Sequence, residues 1–199
     1  MSAVTQWLEA AGAILEGHFQ LSSGLHSSRY LQCALALQYP EVASRLGARL
    51  ADHFRHERVD VVIAPALGGI LIGHEVARSL GTRAIFAERQ GGVMTLRRGF
   101  ALRPGERVLA VEDVVTTGKS LMEIIALIHQ GGAELRGVGA LVDRSTTSLN
   151  FGVPFRALLT LPIPTFRPDE CPLCRAGVTV TIPGSRYLSA EGSAPPDLT

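Results

Sequence analysis

Apolar residues recur along this chain in two rhythms, and the change between them marks out its elements. Val42, Leu46, Leu50 and Phe54, spaced by four behind Pro40, predict a helix from Pro40 to about Glu57. Before it, Val4, Trp7, Leu8 and Ala11 make a short amphipathic start. Residues 14–32, with Gly17, Gly24 and a serine cluster, alternate irregularly and read as short strands joined by turns. After it, apolar runs and helical segments take turns. Val59–Ala64 leads through Pro65-Ala-Leu-Gly-Gly into a helix ending near Leu80-Gly81, and Arg83–Ala87 leads into a polar stretch. Arg107–Glu112 leads through a Thr/Gly turn into a helix carrying Leu121, Ile124, Ile125 and Ile128. Val138–Val142 ends at Asp143-Arg144, and Phe155–Leu161 is a possible fifth strand.

Strand, loop, helix, strand in this order predicts an α/β fold, a central, mostly parallel sheet flanked by helices. The strands are nearly continuous apolar runs, as expected where both faces are covered. Such sheets bind ligands at the carboxyl ends of their strands, so the informative loops follow residues 63, 87, 112 and 142. No internal repeat is present, and the tail 189–199, rich in Ser, Ala and Pro, reads as flexible.

Composition narrows the function. The 199 residues carry 19 basic and 18 acidic side chains, a net charge of +1, and the only lysine is Lys119. Near-balance argues against a broadly anionic partner such as nucleic acid, while leaving room for a local basic site. With 46% hydrophobic residues the chain is that of a folded globular protein. The longest nearly uncharged apolar stretch, Val61–Gly73, is too short for a bilayer and is interrupted by Pro65 and glycines. The N-terminus has no basic and apolar signal-peptide pattern, and three cysteines make no disulfide framework. The expectation is a cytoplasmic protein without a membrane partner.

The chemistry concentrates between Val108 and Ser120. A buried strand runs into Glu112-Asp113, and after Val114-Val115 comes the hydroxyl-rich turn Thr116-Thr117-Gly118-Lys119-Ser120 at a helix N-terminus. Such a turn offers free backbone N–H groups, a positive dipole end and hydroxyls, all suited to a phosphate. The two carboxylates suit sugar hydroxyls or a hydrated Mg²⁺ on a phosphate. Gly118-Lys119-Ser120 mimics the end of a P-loop, but that motif needs a glycine where Asp113 stands. An acidic pair and a helix cap are ordinary one at a time; together, in this order, they point to a phosphorylated sugar.

The pattern of apolar strand, two acids, two apolar residues and Thr-x-Gly-x-Ser/Thr closely resembles the phosphoribosyl-pyrophosphate (PRPP) motif of type I phosphoribosyltransferases. From about Gly12 to Arg186 the chain resembles the orotate phosphoribosyltransferase family. Gly17-His-Phe-Gln-Leu-Ser-Ser-Gly-Leu-His-Ser-Ser-Arg-Tyr is similar to that family's hood, and Ala66-Leu67-Gly68-Gly69 to its pyrophosphate loop. Glu88-Arg89 through Arg97-Arg98-Gly99-Phe100 stands in the place of its mobile loop, and Asp143-Arg144 matches its Asp-Arg. The resemblance implies one domain: a hood from 1–39 and about 162–188, and a core from about 40–161. It implies PRPP on Glu112, Asp113, Val114, Val115, Thr116, Thr117, Gly118, Lys119 and Ser120, with Arg89 contributing, and orotate on Thr116 and Arg144. Arg89, Arg97, Arg98 and Asp113 take the catalytic places. Mg²⁺ is implied as cofactor, held mainly by PRPP with no dedicated protein ligands, and a homodimer as the assembly.

The chain departs from familiar members of the family at Ser22, where they carry lysine, and at Leu67-Gly68, where they carry Tyr-Lys. Its shorter mobile loop uses arginines for lysine and histidine. The alternatives are a purine phosphoribosyltransferase and a non-catalytic PRPP or nucleotide sensor on the same fold. Against the first, a purine has no carboxylate to reward Arg144; against the second, no helix-turn-helix segment is added. His18 and His26 read as local packing or hydrogen-bonding residues. Cys171-Pro-Leu-Cys174 has the spacing of half a zinc site or a redox pair, and without a second ligand pair it stays weak; two copies meeting across a dimer are one way to supply it.

Overall fold

The computed structural model describes residues 2–21 and 23–183. Ser22, Arg186 and the tail 189–199 lie outside the described residues. The chain forms two compact units, one of residues 37–161 and one of residues 1–36 with 162–199.

The larger unit is built on a six-stranded sheet. Its strands are β3 (Val61–Pro65), β4 (Arg83–Gln90), β5 (Val93–Leu96), β6 (Arg107–Val115), β7 (Glu134–Asp143) and β8 (Phe155–Thr160), in the order β5-β4-β3-β6-β7-β8. All pairs are parallel except β4–β5. Alternation along the strands sorts the core into two layers. Val61, Ile63, Val108, Ala110, Val138 and Ala140 pack with Leu121, Ile124 and Ile128 of helix α5 (Lys119–Gln130). The intervening residues face α3 (Pro40–Asp52) and α4 (Gly69–Leu80). There the sheet gives up side chains to let the helix in: Gly137 and Gly139 of β7 lie under Phe54 and Leu50. At the amino ends of β3 and β6, Arg107 forks onto Asp60, Nε to Oδ2 at 2.8 Å and Nη2 to Oδ1 at 2.6 Å, and its backbone N–H donates to the same carboxylate. These hydrogen bonds hold the Asp60 carboxyl down to about 2.

The smaller unit contains α1 (Ala3–Ala10), β1 (Ile14–Gln20), β2 (His26–Leu31), β9 (Thr165–Phe166) and α6 (Pro172–Arg175). The sheet order is β1-β2-β9, all antiparallel. The chain between the units forms a single turn of helix, α2 (Ala34–Leu37).

The elements differ from the sequence expectation in three places. The α3 helix stops at Asp52, and the rest of the anticipated segment becomes a 3-10 turn, Arg55–Glu57. The polar stretch after Ala87 is a hairpin, because Gly91 and Gly92 take φ of 58° and 85°, the left-handed pair that a two-residue turn requires. The β6 strand runs on through both acids to Val115.

The fit of β7 against α3 is testable. An alanine Cβ at Gly137 would lie 2.6 Å from Cε1 of Phe54, itself 1% exposed. Gly137→Ala is expected to lower the unfolding free energy in urea by about 1–3 kcal/mol; unchanged stability would show that this layer has slack.

Candidate active site

The continuation of β6 through its acids decides the layout of the site. Side chains alternate along a strand, so Glu112 and Asp113 leave it on opposite faces. Glu112 shares the face of Val108 and Ala110 and reaches the first turn of α5, where it accepts a hydrogen bond from Ser120. Asp113 faces the start of α4. There a Cβ on Gly68 would sit 2.5 Å from its Oδ2, so only glycine lets the 66–69 loop come this close. The two carboxylates therefore do not converge on one point.

Burial raises both acids. It pushes Glu112 up from an ordinary 4.5 to about 8, helped by the neighbouring charge of Asp113 and opposed by Ser120 and Arg89. Burial also pushes Asp113 up, while the backbone N–H groups of Val114 and Asp113 pull the other way. A pair of desolvated acids at a strand end is costly for folding alone and is a mark of a functional site.

Two helix N-termini flank the pair. The α5 helix begins after Gly118, which takes φ of 74° as its N-cap, and α4 begins after Gly68; neither is capped by a side chain. Their first-turn N–H groups and dipoles favour anions. Thr116 and Thr117 are exposed on the turn between β6 and α5, Lys119 is exposed on the first turn, and Gly118 is buried against Phe151 and Leu149. The 66–69 loop is anchored by the Ala66 N–H donating to Ala87 O at 2.7 Å, its Ala66–Leu67 peptide is cis, and Leu67 is 84% exposed. On the other side the Arg144 N–H donates to Val115 O at 2.8 Å, which latches the end of β7 to the end of β6. Asp143 turns its carboxylate onto the Ser145 N–H. Arg144 thus enters beside Thr116.

The three arginines of the β4–β5 hairpin and the residues just after it fall into two groups. Arg89 pairs with Glu123 of α5 at 2.6 Å, donates to Gly92 O at 3.0 Å, and acts electrostatically on Glu112. Arg97 and Arg98 pair with Glu88 at 3.4 and 3.2 Å, and Arg98 stacks over Phe86. Arg89 is bound to the acid face of the sheet, whereas Arg97 and Arg98 hold the base of the hairpin. The loop after β3 therefore approaches Asp113, and the segment after β7 is bonded to the end of β6 just before the Thr116–Ser120 turn. The sequence places Ser120 on the Thr/Gly turn without showing its bond to Glu112, and gives no sign of Glu123 as the partner of Arg89.

A phosphoribosyl transferase domain model matches residues 37–150. An orotate phosphoribosyltransferase of Caldicellulosiruptor bescii is 52% identical over 184 residues, 92% of this chain and 97% of its own. The chain belongs to the orotate phosphoribosyltransferase family. Another relative of that name, from Thermotoga petrophila, is 50% identical over 93% of this chain and 99% of its own. The crystal structure of orotate phosphoribosyltransferase from Aeropyrum pernix superposes with a TM-score of 0.67 at 26% identity, covering 79% of this chain and 93% of that one. An adenine phosphoribosyltransferase from Thermoanaerobacter pseudethanolicus, at 18% identity and TM-score 0.57, shares the fold. Among the described residues no helix is long and apolar enough to cross a membrane.

The raised Glu112 gives a prediction for the ligand-free protein. Below an ordinary 4.5 the carboxyl is protonated whether the chain is folded or not. As pH rises the unfolded chain loses that proton first, so stability falls until the folded group ionises near 8. Glu112→Gln, which carries no charge to bury, is expected to gain thermal stability over the parent between pH 5 and 8, most at the upper end. A gain that does not vary with pH would contradict the buried acid.

Proposed function

We propose that the protein transfers the ribose 5-phosphate unit of PRPP to orotate, giving orotidine 5′-monophosphate and pyrophosphate, a step of pyrimidine biosynthesis. The observation that carries this reading is the junction of β6 and α5, where an acid pair leads into an uncapped helix N-terminus and the backbone N–H of Arg144, just after β7, donates to Val115 O. Relatives about half identical in sequence and named for the same activity support it.

Each residue then has a physical task. The 5′-phosphate lies on the Thr116–Ser120 turn, taking N–H groups, hydroxyls and the dipole of α5, with Lys119 nearby. Glu112 and Asp113 accept hydrogen bonds from the ribose hydroxyls, which favour the charged carboxylate and so draw Glu112 down from its raised value. Pyrophosphate is received by Ala66, Leu67, Gly68 and Gly69 at the N-terminus of α4, where no side chain competes for the N–H groups. Arg144 binds the orotate carboxylate, a planar fork against a planar acid. Arg89 supplies fixed positive charge to the leaving group, and Arg97 and Arg98, paired with Glu88 at the base of the hairpin, reach it only by exchanging that partner.

The reaction breaks the bond between C1 of the ribose and pyrophosphate, which departs with the electron pair. The ring nitrogen of orotate forms the new bond and releases its proton to solvent. Charge develops on both fragments as that bond loosens, and the chain's contribution is to position them and to stabilise this charge. Mg²⁺ bound to PRPP neutralises part of the pyrophosphate charge. With hard oxygen donors but carboxylates that leave β6 on opposite faces, the site fits an ion that PRPP itself would carry, and Glu112 and Asp113 would be the nearby oxygen acceptors. The protein acts in the cytoplasm as a homodimer.

Incubation with Mg²⁺-PRPP and each of orotate, adenine and hypoxanthine tests the assignment: orotate alone should be consumed. Consumption of a purine would make it a purine enzyme, and no turnover with any base would make it a sensor. Arg144→Ala is expected to raise the KM for orotate at least tenfold, on the scale of about 1.5–3 kcal/mol for a charged hydrogen bond, with a much smaller change for PRPP. Equal changes in both would remove the carboxylate contact. Asp113→Asn should lose most PRPP binding or turnover while still folding, and near-normal turnover would refute its role.

A further inference from the structure

The smaller unit contains four side chains whose donor atoms meet at one place. His18 Nε2, His26 Nδ1, Cys171 Sγ and Cys174 Sγ all lie within 4.8 Å of one another. His18 Nε2 is 2.8 Å from His26 Nδ1, 3.6 Å from Cys171 Sγ and 3.7 Å from Cys174 Sγ, and Cys174 Sγ is 3.2 Å from His26 Nδ1. We propose that these four residues bind a structural zinc ion.

Three features favour a metal over mutual hydrogen bonding. First, the tautomer of His18 is set from outside the cluster: its Nδ1–H donates to Val178 O at 2.7 Å, so Nε2 presents a lone pair inward. This is how a ligating imidazole is oriented, by a carbonyl behind it. That one lone pair has three neighbours, more than it can serve as an acceptor, whereas an ion at the common centre satisfies all four groups at once. Second, the spacings suit the ion. Zinc–sulfur bonds of ~2.3 Å and zinc–nitrogen bonds of ~2.0–2.1 Å imply tetrahedron edges of roughly 3.3–3.8 Å, and small movements bring the observed spacings there. Third, His18, His26 and Cys171 are 3%, 7% and 0% exposed, so their polar atoms have little water to turn to.

Two thiolates and two imidazoles in tetrahedral order select zinc among the common divalent ions. Two thiol protons leave to solvent as the ion binds. Four protein ligands fill the coordination sphere, so the ion takes no substrate and its role is structural. The need for one is visible in the surroundings. β9 joins β2 through two residue pairs, His26↔Phe166 and Ser27↔Thr165. The segment after α6 is joined to β1 by the Thr181 N–H donating to His18 O, the Gln20 N–H donating to Thr181 O, and the Val178 contact above. An ion holding β1, β2 and both ends of α6 fastens the C-terminal leg to the N-terminal hairpin where little core is available to do so.

Elemental analysis of the full chain, purified under reducing conditions without chelator or metal-affinity resin, should find about one zinc per chain. Cobalt substituted for it should show the visible bands of a tetrahedral ion and a thiolate charge-transfer band. Cys171→Ser and Cys174→Ser should lose the zinc and change the cobalt spectrum. If those variants do not fold, the parent chain decides: a thiol-blocking mercurial should release one zinc to a colorimetric dye, and stripping with a strong chelator should lower the melting temperature until zinc is restored. Protein free of zinc and giving no cobalt spectrum overturns the proposal. So does zinc retained after both cysteines are replaced, or a Cys171–Cys174 disulfide in the reduced preparation.

Discussion

The site depends on placing two adjacent, half-buried carboxylates at the end of a buried strand. β6 enters the centre of the sheet as four consecutive buried residues, Val108–Val111, and emerges directly into Glu112 and Asp113. Because the strand does not end there, alternation sends one acid toward α5 and the other toward α4. Each then meets the start of a helix, where N–H groups and dipole make the surroundings tolerant of negative charge. The acids and the helix ends are matched in position but not in protonation, since without ligand Glu112 holds its proton to about pH 8. In the proposed function, a ligand that brings hydroxyls and phosphates together settles the mismatch: hydroxyls favour the charged acids, and phosphates take the helix ends.

Electrostatics are divided to the same purpose. A net charge of +1 leaves no general attraction for anions, so cations have to stand where they are used. Arg89 is drawn by Glu123 onto the acid face, Arg144 is delivered by the latch between β7 and β6, and Lys119 stands on the phosphate turn itself. An arginine does not release its proton near neutral pH, so these side chains serve as fixed charges and not as proton donors.

Much of this was legible in the sequence because it is contiguous there. The strand, acids, Thr-x-Gly turn and helix between Val108 and Ser120 follow one another, and local pattern was enough to read them. The hairpin β4–β5 was not legible: Glu88, Arg89 and Gln90 are polar residues in a strand, and the four residues of β5 are too few to show a period. The splitting of the acids onto two faces was missed because the strand seemed to end at Glu112. The Cys/His cluster was hidden by distance, with Cys174 lying 148 residues from His26 and 156 from His18. Half of it was visible as Cys-x-x-Cys, but its second pair becomes a ligand set only when β1 and β2 fold beside α6.

The central claim is that Glu112, half-buried and desolvated enough to be raised to about 8, becomes charged when the ribose arrives. Calorimetric titration of the protein with Mg²⁺-PRPP at pH 7, repeated in buffers of different ionisation enthalpy, measures that change as protons released. The account predicts release of about one proton per chain, abolished in Glu112→Gln. Binding without proton release, or with the same release in both proteins, would contradict it.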